Sequence, residues 1–176
     1  MTYPGSLAWQ ADYAELVADP VAQALVGWHR TTEVRAAPIE ADLADTARFC
    51  EHYGVDLADS ANCVVIAGKR GDTVSYAACV VLATTRADVN GVVRRRLNAK
   101  KASFAPMDDA VALSGMEYGG ITPVGLPAAW PVLVDRAVLD RAIVVIGSGL
   151  RRSKVALPPH ALTELPGAEV IDGLAS

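Results

Sequence analysis

The stretch Ser114-Gly-Met-Glu-Tyr-Gly-Gly-Ile-Thr-Pro-Val-Gly125 is the part of the chain best equipped to do chemistry with its own backbone. Adjacent glycines, Gly119 and Gly120, allow positive φ and let a ligand come close to main-chain N–H groups. Pro123 removes one donor and stiffens the turn behind them. A loop of this kind can hold a carbonyl or a developing oxyanion with amides alone, though glycine-rich loops also serve as plain tight connections. Gly147-Ser148-Gly149 is a second candidate, following the apolar run Ala142–Ile146. It opens like a dinucleotide fingerprint, but Arg152 stands at the third glycine position and Pro158-Pro159 follows too soon for a long helix. A strand-end loop lining a pocket is the better reading. Ser148 has no GxSxG elbow around it and no identifiable histidine partner, which argues against covalent catalysis.

Basic residues fall in two groups. Arg94, Arg95, Arg96, Lys100 and Lys101 form one, and Arg151, Arg152 and Lys154 follow the Gly-Ser-Gly turn. The net charge is −4, so any contact with nucleic acid has to come from such local patches. Cations at a helix C-terminus also need no ligand, and a solvated basic face is an equal reading. The cysteines, Cys50, Cys63 and Cys79, and the histidines, His29, His52 and His160, are isolated from one another. No metal site and no cofactor is expected, and the thiols read as buried and reduced.

The elements that must position these residues can be read from periodicity. With 176 residues, 52% hydrophobic and 20% charged, the chain fits one domain with a full core. No apolar run approaches the ~20 residues of a membrane span, and the acidic first turns do not resemble a signal peptide, so a cytoplasmic location is expected. Residues 1–31 read as a helical hairpin decorating a domain of residues 32–176. Strands are expected at Val34–Pro38, Asn62–Ala67, Val74–Ala83, Lys101–Ala105, Val132–Val134, Ala142–Ile146, Val155–Leu157 and Glu169–Ile171. Helices are expected at Asp42–His52, stopped by Gly54, at Asp88–Leu97, at Met107–Leu113 and after Pro158-Pro159. The elements do not alternate as βαβ units. The expectation is an α+β fold, a mixed and largely antiparallel sheet with flanking helices.

In order and spacing, several short motifs resemble the YbaK family, which includes prolyl-tRNA synthetase editing domains and free-standing deacylases. They are Asp45-Thr46, Gly54-Val55, Asp88-Val-Asn90, Ser114-Gly115, Gly119-Gly-Ile-Thr-Pro-Val-Gly125, Val134-Asp135, Val145-Ile-Gly-Ser-Gly149 and Leu157-Pro158. The resemblance spans roughly residues 33–173. It implies hydrolysis of an aminoacyl-tRNA ester by water, without a metal, on the acceptor end of tRNA. It places the GxxxP motif on Gly119 and Pro123. Gly119 and Gly120 would then supply donors, while Ile121, Thr122, Pro123, Gly125, Asp135, Gly147, Ser148 and Gly149 would form the substrate site. Arg94, Arg95, Arg96, Lys100, Lys101, Arg151 and Arg152 would hold the tRNA.

One departure from the family pattern matters. Family members usually carry a lysine at the start of the strand after the Gly-Val pair, where this chain has Asn62-Cys63-Val64-Val65. Asn62 donates hydrogen bonds but brings no charge, and Lys69 falls at the far end of that strand. Two readings follow: a trans-acting deacylase of mischarged tRNA, or a weak or inactive paralogue that binds aminoacyl-tRNA or a small aminoacyl or nucleotide ligand. A third, a pure interaction protein, would rest on residues 1–31 alone.

Overall fold

The computed structural model describes residues 2–176. Its strands are β1 (Arg35–Pro38), β2 (Ala61–Arg70), β3 (Thr73–Leu82), β4 (Lys101–Phe104), β5 (Val132–Asp135), β6 (Val144–Gly147), β7 (Ser153–Leu157) and β8 (Ala168–Ile171). The helices are α1 (Asp19–Leu25), α2 (Thr46–Tyr53), α3 (Arg94–Arg96), entered through a π turn at Val89–Val93, and α4 (Met107–Ser114). The strands form a five-stranded sheet ordered β4-β2-β3-β5-β8 and a three-stranded sheet ordered β1-β7-β6. β3–β5 and β5–β8 are parallel; the other pairs are antiparallel. This is the α+β, mixed and largely antiparallel architecture expected.

The alternation of side chains along β3 explains the layering. Val80 and Leu82 face one way and join Val132, Val134, Val144, Ile146, Val155 and Leu157 in a core between the sheets. Ala77, Cys79 and Val81 face the other way and meet Ile66, Val93, Leu133 and Leu174. The outer face of the small sheet, through Val145 and Ala156, packs on Phe49 and Cys50 of α2. A parallel bridge between Ser60 and Val145 joins the start of β2 to β6, so the two sheets meet at one corner.

Local chemistry sets the element ends. Asp45 caps α2 by accepting from Arg48 N at 3.1 Å, and Gly54 closes it with φ +67°. Asp88 accepts from Gly91 N and Val92 N, which starts the turn leading into α3. The β2–β3 hairpin is longer than its apolar run, because Lys69 and Arg70 still pair with Val74 and Thr73.

Residues 1–31 are not a helical hairpin. Among them the described structure holds one α-helix, α1, a short 3₁₀ turn at Ala14–Leu16 and the start of another at Thr31–Glu33. Nor are they decoration: Val17, Ala18, Val21 and Leu25 belong to the core between the sheets. Ala18 N also donates to Ser148 O at 3.0 Å, and Gln10 bridges Ala36 of β1. The second half of the expectation holds, since Asp19-Pro20 opens α1 and Val21 and Leu25 share its buried face at i and i+4, whereas the apolar residues before Asp19 form no α-helix.

Candidate functional site

At the corner where the sheets meet lies a cavity of about 480 Å³. Asn62 of β2, Gly147 of β6, Lys154 of β7, Asp45 and Thr46 at the start of α2, and Gly119 and Ile121 of the glycine-rich loop all line it. The bridge at Ser60 and Val145 explains part of this: two residues further along each strand come Asn62 and Gly147. Phe104 and Tyr118, 64% and 58% exposed, also belong to its lining.

The glycine-rich loop and the Gly147–Gly149 turn are stitched together. Gly149 N donates to Gly120 O at 2.7 Å, and Glu117 N donates to Gly149 O at 2.9 Å. Arg151 N donates to Glu117 Oε2 at 2.6 Å. Gly147 has to be a glycine, since a Cβ there would lie 2.4 Å from Gly120 O and 2.6 Å from Ile121 O. Gly120 N donates to Glu117 O at 2.9 Å, so this amide closes the turn and does not face a ligand. The amides of Gly119 and Ile121 have no protein acceptor among the described residues, and both residues reach the cavity.

Of the other residues singled out from the sequence, Thr122, Pro123, Gly125, Asp135, Ser148 and Gly149 do not line this cavity. Ser148 is fully buried, its hydroxyl within 3.1 Å of Leu150 O and Ser153 O and 2.8 Å from Ser153 Oγ. Asp135 accepts from Ala137 N and Ala175 N and caps the turn after β5. Gly125 packs against the carbonyl of Pro20. Thr122 is fully buried, and its Oγ1 has no partner. These residues build the loops rather than their inner surface.

The basic residues separate in space. Lys69, Arg94, Lys100 and Lys101 line a hollow on the β2–β4 face. Arg96 is ion-paired with Glu169, which lowers the Glu169 carboxyl below its usual range, while Arg95 is exposed. Arg151 lines the cavity and donates to Tyr118 O and Ala41 O, each at 3.2 Å. Arg152 instead lines a different hollow, beside Ala14–Asp19. An intermediate depression shares Asn62, Val64 and Phe104 with the cavity and Asn90, Ala102 and Ser103 with the basic hollow. The cavity and the Lys69–Lys101 cluster are therefore linked along one face.

Sequence reasoning missed Thr46 and Lys154 as site residues. Thr46 Oγ1 donates to Asn62 Oδ1 at 2.6 Å, leaving the amide nitrogen of Asn62 without a protein acceptor. Lys154 sits beside two arginines in the sequence, yet it is only 6% exposed and donates to Ala44 O at 3.1 Å, with Nζ 5.0 Å from the Phe49 ring centre. Its signal is Ser153-Lys-Val-Ala-Leu157, a strand buried on both faces with a lysine inside it. Lys69, the lysine nearest to Asn62 in sequence, lies at the other end of β2, paired with Lys101. Cys63 lines the cavity, but burial pushes its thiol up, which leaves it a poor nucleophile. No cluster of metal-binding side chains exists among the described residues, and no described helix is long and apolar enough to cross a membrane.

A model of the aminoacyl-tRNA editing domain matches residues 40–165. The uncharacterized protein YwhH of Bacillus subtilis (strain 168) is 26% identical over 143 residues, covering 81% of this chain and 87% of its own. A protein proposed as a trans-editing enzyme for prolyl tRNA synthetase superposes with TM-score 0.73 at 22% identity, over 87% of this chain and 93% of its own. Hypothetical protein APE2540 does so with TM-score 0.75 at 23% identity, over 90% and 100%. At these identities the two structures speak for the fold. With the family model spanning most of its length, the chain belongs to the aminoacyl-tRNA editing domain family, the YbaK-like group that its motifs resemble.

Proposed function

We propose that the protein hydrolyses the ester of a mischarged tRNA in trans, using the cavity at the sheet corner. The observation behind this is that three residues with unspent donors line one hollow: Gly119 and Ile121 through their main-chain amides and Asn62 through its side-chain amide. Such groups suit an acyl carbonyl, whose oxygen gains negative charge as water attacks. An aminoacyl ester is already activated, so the absence of a histidine dyad does not count against hydrolysis. Phe104 and Tyr118 offer exposed rings on which a terminal base could stack. The linked Lys69–Lys101 face offers cations to the phosphates of the acceptor stem.

The test is deacylation of a panel of mischarged tRNAs, read as release of amino acid. Turnover of at least one member is expected, and inactivity across the panel would overturn the reading. The neutral Asn62 favours one alternative, a binding protein that has kept the pocket and lost turnover. Salt-sensitive affinity for aminoacyl-tRNA without hydrolysis would select that alternative.

A further inference from the structure

We infer that Lys154 supplies the buried positive charge of the pocket, beside the more exposed Arg151 whose guanidinium is held by Tyr118 O and Ala41 O, and holds the carbonyl oxygen of the bound aminoacyl ester from strand β7. The inference rests on the deacylase reading. Asn62 and Lys154 line one cavity from adjoining sheets, and Lys154 is the Cα partner of Gly147 across the β6–β7 ladder. The cation is thus relocated to a neighbouring wall rather than lost.

Within the protein the Lys154 ammonium has the Ala44 carbonyl and the Phe49 ring beside it and, among the described residues, no carboxylate within ion-pair distance. Buried lysines are rare unless paired. Of the three ammonium donors, one is used by Ala44 O. The charged and titratable groups acting on it are Asp45 and Cys50 from α2 and Arg151 from the β6–β7 turn. Burial pushes the Lys154 ammonium down and Arg151 does so further, against the pull of Asp45 and Cys50. A desolvated cation without a counter-ion is costly to keep, and an incoming oxyanion would provide the missing partner.

In the reaction the oxygen of water bonds to the carbonyl carbon, and Lys154 and the loop amides hold the resulting oxyanion. The carbon–oxygen bond to the ribose then breaks. One water proton ends on the ribose oxygen, and the other is released as the free acid ionises to carboxylate. Lys154 makes its contact most strongly in the transition state, so it should affect kcat more than KM.

The experiment compares wild type, Lys154→Met, Lys154→Gln and the double variant Asn62→Lys/Lys154→Met on a mischarged tRNA that wild type hydrolyses. Both single variants should lose about tenfold or more in kcat, with KM within about twofold. Lys154→Met should melt at or above the wild-type temperature, because an unpaired buried charge has gone. The double variant should recover much of the lost rate. Full kcat in either single variant would overturn the inference while leaving the deacylase reading intact. So would a lowered melting temperature in both single variants with no rescue, the result of a structural bond to Ala44. If Lys154→Met fails to fold, Lys154→Gln alone decides, since it keeps neutral N–H donors at this buried position. A wild type silent on every tRNA would instead bring down the deacylase reading and this inference together.

Discussion

Thr46 Oγ1 donates to Asn62 Oδ1 at 2.6 Å, tying the first residue of α2 to the cavity end of β2. Because the hydroxyl occupies the amide oxygen, the amide nitrogen is turned to other partners, and Asn62 faces the cavity as a donor. Replacing Thr46 with valine keeps the shape and removes the bond. A neutral hydrogen bond is worth about 1 kcal/mol, which corresponds to a fall of roughly fivefold in kcat/KM. Thr46→Ser should retain activity. Steady-state deacylation of the same tRNA checks both, and an unaffected Thr46→Val would show that Asn62 needs no orientation.

The two loops of the site meet at Gly147, whose added Cβ would strike the carbonyls of Gly120 and Ile121. Backbone cannot step aside as a side chain can, so Gly147→Ala should lose about 2 kcal/mol or more. Gly119 differs: its φ is +84°, and an added Cβ would meet only the end of Arg151, a flexible group. Gly119→Ala should lose about 1–2 kcal/mol through strain, and less than Gly147→Ala. Urea unfolding of the two variants gives the order, and the reverse order would contradict this packing.

Thr122 keeps a buried hydroxyl with no hydrogen-bond partner. Such a group costs about 1–3 kcal/mol, so the isosteric Thr122→Val should raise the melting temperature. A lower melting temperature would mean that the hydroxyl is satisfied in solution, for instance by a buried water.

Val17, Val21 and Leu25 are buried between the sheets. Burying such a side chain stabilises by about 1.5–3 kcal/mol, and the three together approach the ~5–15 kcal/mol of a typical domain. Removing residues 1–31 should therefore abolish cooperative thermal unfolding. A sharp transition in the truncated protein would show that the segment is dispensable.

Lys100 and Lys101 belong to the basic hollow linked to the cavity. Reversing both charges should weaken tRNA binding and flatten its dependence on log salt by about 0.7–0.9 for each phosphate no longer neutralised. The hydrolysis rate of saturated enzyme should change little. Unchanged affinity and slope would remove this face from the RNA path.

Much of the architecture is legible in the residues themselves. Alternating apolar strands, the Asp88 cap and the Gly54 stop act over a few residues, so their local chemistry specifies the elements directly, whereas α2 begins under the Asp45 cap at Thr46 and not at Asp42, where a separate 3₁₀ turn stands. The glycine-rich loop announces itself for the same reason, since only residues without side chains permit the close approach at Gly147 and Gly120. Folding decides what depends on neighbours distant in sequence. Spacing does not show that Gly120 N is consumed by Glu117 O while Gly119 N is left free, or that Ser148 turns inward. Nor does it show that Val17–Leu25 completes a core rather than a hairpin. Lys154 makes the point most sharply: beside Arg151 and Arg152 it reads as one more surface cation, and the pairing of β7 between β1 and β6 puts it inside. A strand's side chains alternate by local geometry, but which face is covered depends on the elements packed against it.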